Sequence, residues 1–250
     1  MNPILEIVLL IVVGFVAGVV NTIAGGGSLL TLPILIFLGL PPNVANGTNR
    51  VAILFQSIST AAGFKSKGVL TLPFSIYVGI SALIGAIVGA KIAIDIKGET
   101  FNKILAIMMV VVVVYMVFSS KYKQLNSAEK TTGKPLWLSV FLFFFIGIYA
   151  GFIQAGVGFM ILLVLSSVNN ISLVKSNAIK AIITILSTIA AFAVFAFNDA
   201  IDWKMGLILA VGTALGGWFS SRWSVKGGDA LVKKFLIVMV VIMAVKLWFF

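Results

Sequence analysis

The 250-residue sequence contains no cysteine and no histidine. Disulfide frameworks, thiol nucleophiles, the usual zinc sites and histidine general bases are therefore excluded together. Only seven residues are acidic, all of them at or beyond the end of an apolar run, and no Gly-Lys-Ser/Thr phosphate-binding sequence occurs. We expect no enzyme, no cofactor and no metal site.

Apolar residues, by contrast, make up 61% of the chain, and the mean hydropathy is +1.18. The 25 charged side chains cannot cover a soluble globule of this size, and the apolar runs are about as long as a bilayer is thick. The formal charge of +11 comes from Lys and Arg that lie mostly between these runs, without interleaved aromatic residues. This pattern predicts an all-α, multi-pass protein of the cell membrane that contacts lipids and no nucleic acid.

The apolar runs form two similar series separated by one long polar segment. The runs span residues 4–24, 29–40, 51–64, 70–94 and 104–120, then 136–155, 157–168, 178–198, 205–223 and 235–250. Several residues of the first series reappear 133 positions later, namely Gly14, Gly18, Asn21 and Gly25 as Gly147, Gly151, Gln154 and Gly158. Chance similarity between apolar sequences is the alternative. We predict a first membrane repeat over 1–120, a linker over 121–135 and a second repeat over 136–250.

The short second run of each half decides how the repeats are related. Its twelve residues in the first half reach only about 18 Å, whereas the hydrocarbon core is about 30 Å thick. If this run folds back, the 18 basic residues divide twelve to six between the two sides, whereas a continued first helix divides them eight to ten. The positive-inside rule therefore favours inverted-topology repeats, each with a reentrant first helix plus three spanning helices. The linker is then cytoplasmic, and both termini are outside.

Glycines interrupt the chain between the first and second runs of each half. The first half has Gly25, Gly26 and Gly27 between Asn21 and Ser28. The second half has Gln154, Gly156 and Gly158. Broken backbone at membrane depth is tolerated where it is buried in protein or lines a cavity, and each helix that begins after a break has an N-terminus suited to anions. We expect these residues to bind a small anionic substrate near the midplane; the alternative is that the glycines only permit close packing.

A second pair of equivalent segments carries the cations. Asn49-Arg50 in the first half corresponds to the segment with Asn177 and Lys180 in the second, and no acidic residue is close to either cation in sequence. Arg can grip an oxyanion with two donors, and Lys supplies a point charge. We predict that these residues complete the substrate site; the alternative is that both cations extend to the lipid head groups.

Four small-xxx-small pairs occur in the apolar runs: Gly14/Gly18, Gly85/Gly89, Gly147/Gly151 and Gly212/Gly216. Such pairs let helix backbones approach closely, so we expect them to be helix-packing contacts and not ligand groups.

Residues 14–63 resemble the sulfite exporter (TauE/SafE) family of bacterial and archaeal membrane transporters. The resemblance rests on four motifs: Asn21-Thr-Ile-Ala-Gly-Gly-Gly-Ser28, Leu32-Pro33, Gly39-Leu-Pro-Pro42 and Ala45-Asn-Gly-Thr-Asn49. It extends over the whole chain, although the second break, Ala155-Gly-Val-Gly-Phe159, is less rich in glycine and has no proline after it. The resemblance implies inverted repeats that move sulfite, sulfonates and related sulfur-containing or carboxylate anions.

The predicted function is therefore secondary transport of a small anion by alternating access, with sulfite or an organosulfonate as the expected substrate. An inside-negative potential drives anion export with about 2.3 kcal/mol per charge per 100 mV. An anion channel and a non-transporting membrane scaffold are the alternatives. The sequence leaves open the substrate's identity, the direction of transport, the coupling ion and whether the chain forms a homo-oligomer.

Overall fold

A computed structural model describes residues 3–69, 72–96, 98–118 and 128–249 of the chain, and these residues form nine helices and no strand. The helices are α1 (Pro3–Ile23), α2 (Ser28–Phe37), α3 (Pro42–Lys65), α4 (Leu72–Asp95), α5 (Gly98–Phe118), α6 (Lys134–Phe152), α7 (Val157–Ser167), α8 (Leu173–Phe197) and α9 (Trp203–Phe249). Gly228, with φ 66° and ψ −171°, interrupts α9 and divides it into two helical segments. The order of elements therefore follows the ten apolar runs.

Part of the predicted linker, residues 121–127, lies outside the described residues. The part of the linker that the structure describes, residues 128–133, ends where α6 begins at Lys134, with Pro135 in the first turn of the helix. Proline is favoured there because the first helical N–H groups have no partner within the helix. The last two residues of the predicted linker thus belong to the helix that follows.

The distribution of side chains is that of a membrane protein. Among the described residues, four segments are long and apolar enough to cross a bilayer: Pro3–Ile23, Leu72–Asp95, Gly133–Phe152 and Leu173–Phe197. Large apolar side chains of α1 and α4, such as Ile4 and Tyr77, are exposed, whereas polar side chains at the start of α3 are buried. A soluble protein has the opposite arrangement, so the exposed apolar surface is suited to lipid.

Two helices begin before their apolar runs, α3 nine residues earlier and α8 five residues earlier. α3 starts at Pro42 and α8 at Leu173, so Arg50, which precedes its apolar run, lies inside α3, and Lys180 lies further inside α8 than its run indicates. Pro41 and Pro42 form the start of α3, and the Ser172 hydroxyl accepts from the Lys175 N–H to cap α8. Apolar periodicity missed these first turns because their buried side chains are polar.

The small-xxx-small pairs are helix-packing contacts, as predicted, and they pack helices of one half against helices of the other. Gly14 and Gly18 lie against the backbone of α9, and Gly212 and Gly216 lie against the backbone of α1. The equivalent interface joins α4 to α6, with Gly85, Gly89, Gly147 and Gly151 each facing a carbonyl oxygen of the partner helix. The two halves therefore pack against each other along α1 with α9 and α4 with α6, and do not form separate domains.

The equivalent helices α3 and α8 run antiparallel where they meet. Gly47, near the start of α3, lies against the carbonyl oxygen of Ala200, just beyond the end of α8. The Asp202 N–H donates to the Thr48 hydroxyl over 2.8 Å at the same place. The start of α3 is thus beside the end of α8, which brings residues from the middle of both helices to the centre of the protein.

Candidate functional site

The two glycine breaks meet inside the protein. Gly25, with φ +87°, has its backbone against that of Gly158, and both residues are buried. Gly156, with φ +73°, precedes α7, and Gly26 lies beside the Phe159 ring. The predicted helix starts after the breaks are confirmed, since α2 begins at Ser28 and α7 at Val157. The sequence did not predict that the two breaks touch each other.

Arg50 caps the C-terminus of α6, in the opposite half of the chain. Its Nη1 donates to the Ala150 carbonyl over 2.8 Å, and its Nη2 donates to the Gly151 carbonyl over 2.6 Å. Asn46 Nδ2 donates to the Phe152 carbonyl over 2.7 Å. These carbonyls are among the last four of the helix, which have no partner within it, and the guanidinium lies at the negative end of the helix dipole.

Lys180 caps the C-terminus of α1 in the reciprocal way. Its Nζ donates to the carbonyls of Asn21 and Thr22 over 2.9 and 2.8 Å. Asn177 Nδ2 donates to the Ile23 carbonyl over 3.2 Å. A cation and an asparagine of each half therefore cap the broken helix of the other half.

These caps correct two expectations. Arg50 is 0% exposed and Lys180 only 4%, so neither side chain extends to the head groups. Each cation also has protein partners. Backbone carbonyls at a helix end, and not acidic side chains, accept its hydrogen bonds. With both residues in the interior, the folded-back arrangement places eleven basic residues on one side and five on the other, so the bias remains.

A narrow polar cavity, here called the Lys180 pocket, lies beside the meeting point of the breaks. Its lining comes from both halves: Asn21, Thr22, Gln56, Ser57, Thr60, Gln154, Val157, Gly158, Lys180, Ala181 and Thr184. It combines one cation with hydroxyl and amide groups and contains no acidic side chain. Such a lining suits an oxyanion. In this conformation the pocket has room for about one water molecule, so a larger ion needs the walls to separate.

One wall of the Lys180 pocket is a hydrogen-bonded network between α1 and α3. Asn21 Nδ2 donates to Gln56 Oε1 over 2.7 Å, and Gln56 Nε2 donates to the hydroxyls of Thr22 and Thr60 over 2.9 and 3.0 Å. The network holds these side chains in place at the pocket, so a change in one of them shifts the others.

A second cavity, here called the Asn49 pocket, lies at the start of α2. It is lined by Ala17, Gly18, Asn21, Gly27, Ser28, Thr31, Asn49, Ile53, Gln56 and Thr213. The Thr31 hydroxyl donates to Asn49 Oδ1 over 2.7 Å, and Asn49 Nδ2 has no hydrogen-bond partner among the described residues. The lining carries no charged side chain, and it shares Asn21 and Gln56 with the Lys180 pocket.

The predicted site residues thus divide among four environments. Asn21, Gln154, Gly158 and Lys180 line the Lys180 pocket, and Asn21, Gly27, Ser28 and Asn49 line the Asn49 pocket. Arg50 and Asn177 line neither of these two cavities and contact helix ends instead. Gly25, Gly26 and Gly156 form the crossing of the two breaks.

Sequence reasoning missed five polar residues of the Lys180 pocket: Thr22, Gln56, Ser57, Thr60 and Thr184. The spacing of these residues in the sequence could have identified them. Gln56 and Thr60 in α3, and Lys180 and Thr184 in α8, are four residues apart and therefore lie on one helix face. Polar residues repeated on one face of an apolar helix indicate a cavity-facing surface.

Comparison with known proteins covers nearly the whole chain. A profile of the sulfite exporter TauE/SafE family matches residues 10–247. The probable membrane transporter protein ORF9 of Sinorhizobium sp is 28% identical over 238 residues, covering 95% of this chain and 90% of that protein. A probable membrane transporter protein of Haemophilus influenzae is 27% identical, with 96% and 93% covered, and YfcA of Escherichia coli K12 is 25% identical, with 94% and 87% covered. No solved structure matches the chain.

Proposed function

The chain belongs to the sulfite exporter TauE/SafE family and is a multi-pass membrane transporter, and on that premise we propose that it moves small anions of the sulfite or organosulfonate type across the cell membrane. The observation that carries this proposal is the Lys180 pocket. It places a buried cation among hydroxyl and amide groups contributed by both halves, with no acidic side chain in its lining. An oxyanion would receive charge compensation and hydrogen bonds there without an opposing carboxylate.

The proposed transport route depends on an inverted relation between the halves. The antiparallel contact of α3 with α8 supports this relation, as does the reciprocal capping of α1 by Lys180 and of α6 by Arg50. In such an arrangement the two repeats can exchange conformations, so that a central site opens first to one side and then to the other. The reentrant role proposed for α2 is supported by Gly27, which lies against the Ala17 carbonyl and the Asn21 side chain.

Alternating access also accounts for the tightness of the Lys180 pocket. Sulfite has four heavy atoms, and a pocket with room for about one water molecule does not admit it without movement of the walls. Because the lining comes from both halves, a rocking motion of one repeat against the other would widen the pocket. Export of an anion is favoured by an inside-negative potential, by about 2.3 kcal/mol per charge per 100 mV.

Flux into proteoliposomes tests the proposal. Purified protein is reconstituted, and uptake of radiolabelled sulfite is measured in competition with sulfate, thiosulfate, sulfonates and short carboxylates. We expect saturable flux that unlabelled substrate on the opposite side accelerates. Flux without that acceleration would indicate an anion channel. The absence of flux with every anion would indicate a scaffold and overturn the proposal.

A further inference from the structure

Gln154 connects Arg50 to the Lys180 pocket. It follows the end of α6, lines the pocket and accepts a hydrogen bond from Arg50 Nη1 to its Oε1 over 3.1 Å. Its φ of 66° is left-handed, a conformation that few residues other than glycine adopt. A strained backbone at a cavity-facing side chain is typical of functional positions.

Arg50 determines which end of the Gln154 amide faces the pocket. A guanidinium group has five N–H donors and no acceptor, so the amide oxygen must point towards Arg50. The NH2 group is then on the other side of the amide, and Gln154 Nε2 has no acceptor among the described residues. The pocket therefore has an oriented donor whose direction is set by a residue outside the pocket lining.

Lys180 supplies charge to the pocket but no free donor in this conformation. An ammonium group has three N–H donors, and Lys180 Nζ directs them to the Asn21 carbonyl, the Thr22 carbonyl and Asn177 Oδ1, over 2.9, 2.8 and 2.6 Å. A directional hydrogen bond to a bound anion must then come from another residue. Gln154 Nε2 is available for it.

We propose that Arg50 is a positioning residue that acts on the transported anion through Gln154, whose NH2 group donates to an unprotonated oxygen of that anion. This inference rests on the proposed function. It assigns the two equivalent cations different tasks, because Lys180 attracts the anion by its charge and Arg50 orients the amide that binds it. The preferred ligand is an oxyanion that presents a bare acceptor oxygen to Gln154.

The decisive variant is Gln154→Glu. A carboxylate of the same shape keeps the acceptor for Arg50, whose charge keeps the new group ionised, but it presents an oxygen to the pocket in place of the NH2 group. We expect the half-saturation concentration for sulfite to rise by about 10- to 100-fold, the usual effect of losing a hydrogen bond to a charged group. The matched control is Asn198→Asp, which adds the same charge at the exposed end of α8 and should transport like the wild type.

Arg50→Lys separates capping from orientation. The Arg50→Lys side chain can bind Ala150 O, Gly151 O and Asn46, just as Lys180 binds the end of α1 and Asn177. All three N–H donors of the ammonium group are then engaged, and none is left for Gln154. We expect Arg50→Lys to fold but to bind sulfite about tenfold more weakly. In a Gln154→Met background the same Arg50→Lys change should have no further effect, because the residue through which it acts is absent.

These outcomes are distinguishable. An inactive wild type overturns the proposed function and this inference with it. An active wild type whose half-saturation concentration is unchanged in Gln154→Glu overturns the inference alone. Equal effects of Arg50→Lys in the wild-type and Gln154→Met backgrounds also overturn it, since Arg50 would then act independently of Gln154. Thermal unfolding of each variant in detergent identifies those that are misfolded, and the Gln154→Glu comparison does not require removal of either cap.

Discussion

Gly25 and Gly158 touch main chain to main chain, at the point where the broken helices of the two halves cross. A Cβ atom on either residue would overlap backbone atoms of the other. Backbone cannot move aside as a flexible side chain can, so this contact requires glycine at both positions. The crossing adjoins the Lys180 pocket, to which Gly158 itself contributes.

Gly158→Ala should therefore destabilise the protein and reduce transport. Overpacking costs about 1–3 kcal/mol, and here the added methyl group meets the main chain of Gly25. The control is Gly26→Ala, whose Cβ would meet only side-chain atoms of Phe159 and Leu29. Thermal unfolding in detergent and sulfite flux measure both effects. Equal behaviour of the two variants would contradict the structural role of the crossing.

Asn46→Ala should lower the free energy of unfolding by about 1–3 kcal/mol, because it leaves the partly buried Phe152 carbonyl at the end of α6 without its hydrogen-bond donor. It also removes Oδ1, which accepts from Arg50 over 3.4 Å. Asn198→Ala is the control, since Asn198 also bonds a helix carbonyl but is exposed. Reversible denaturation in mixed micelles gives the free energies, and a loss for Asn46→Ala no larger than the control would disprove the capping role.

Lys180→Gln should weaken anion binding by about 1–3 kcal/mol, which is the range for a hydrogen bond or charge contact in a buried site. The exposed Lys204, changed to Gln, should have no comparable effect. Concentration-dependent sulfite flux, normalised to the amount of correctly oriented protein, measures the difference. If both variants keep the wild-type half-saturation concentration, Lys180 is a helix cap only.

Gly89→Ala should reduce the yield of folded protein, because its Cβ would overlap the Ile148 carbonyl across the interface between α4 and α6. Gly98→Ala is the matched control, since the nearest atoms to its Cβ are side-chain carbons of Pro42 at 3.6 and 3.7 Å. Size-exclusion chromatography of both variants, expressed in parallel, tests the difference. A monodisperse peak of wild-type height for Gly89→Ala would rule out the close approach.

Inverted repeats place the loop after α3 and the loop after α8 on opposite sides of the membrane. The chain contains no cysteine, so Ser66→Cys and Asn198→Cys each introduce a single exposed thiol. We expect an impermeant maleimide to label Asn198→Cys from outside intact cells and Ser66→Cys only after permeabilisation. Labelling of both from the same side would indicate parallel repeats.

The amino-acid sequence by itself determined the membrane class, the number of helical segments, the two helix breaks and the small-xxx-small interfaces. Each of these follows from local composition: long apolar runs need lipid, closely spaced glycines end helices, and glycines four residues apart leave a groove in one helix face. Gly14 and Gly18 show this most directly, since their spacing alone predicted a packing surface and the structure places the backbone of α9 there.

Only the tertiary structure decided what Arg50 and Lys180 do. Their partners are backbone carbonyls about 100 and 159 residues away in the chain, and a carbonyl is present at every residue, so no residue type marks the ones that are used. Likewise, Gln154 acquires an oriented amide only because the end of α6 meets the middle of α3. Contacts between distant segments depend on how helices cross, and helix crossing is a property of the whole packed chain.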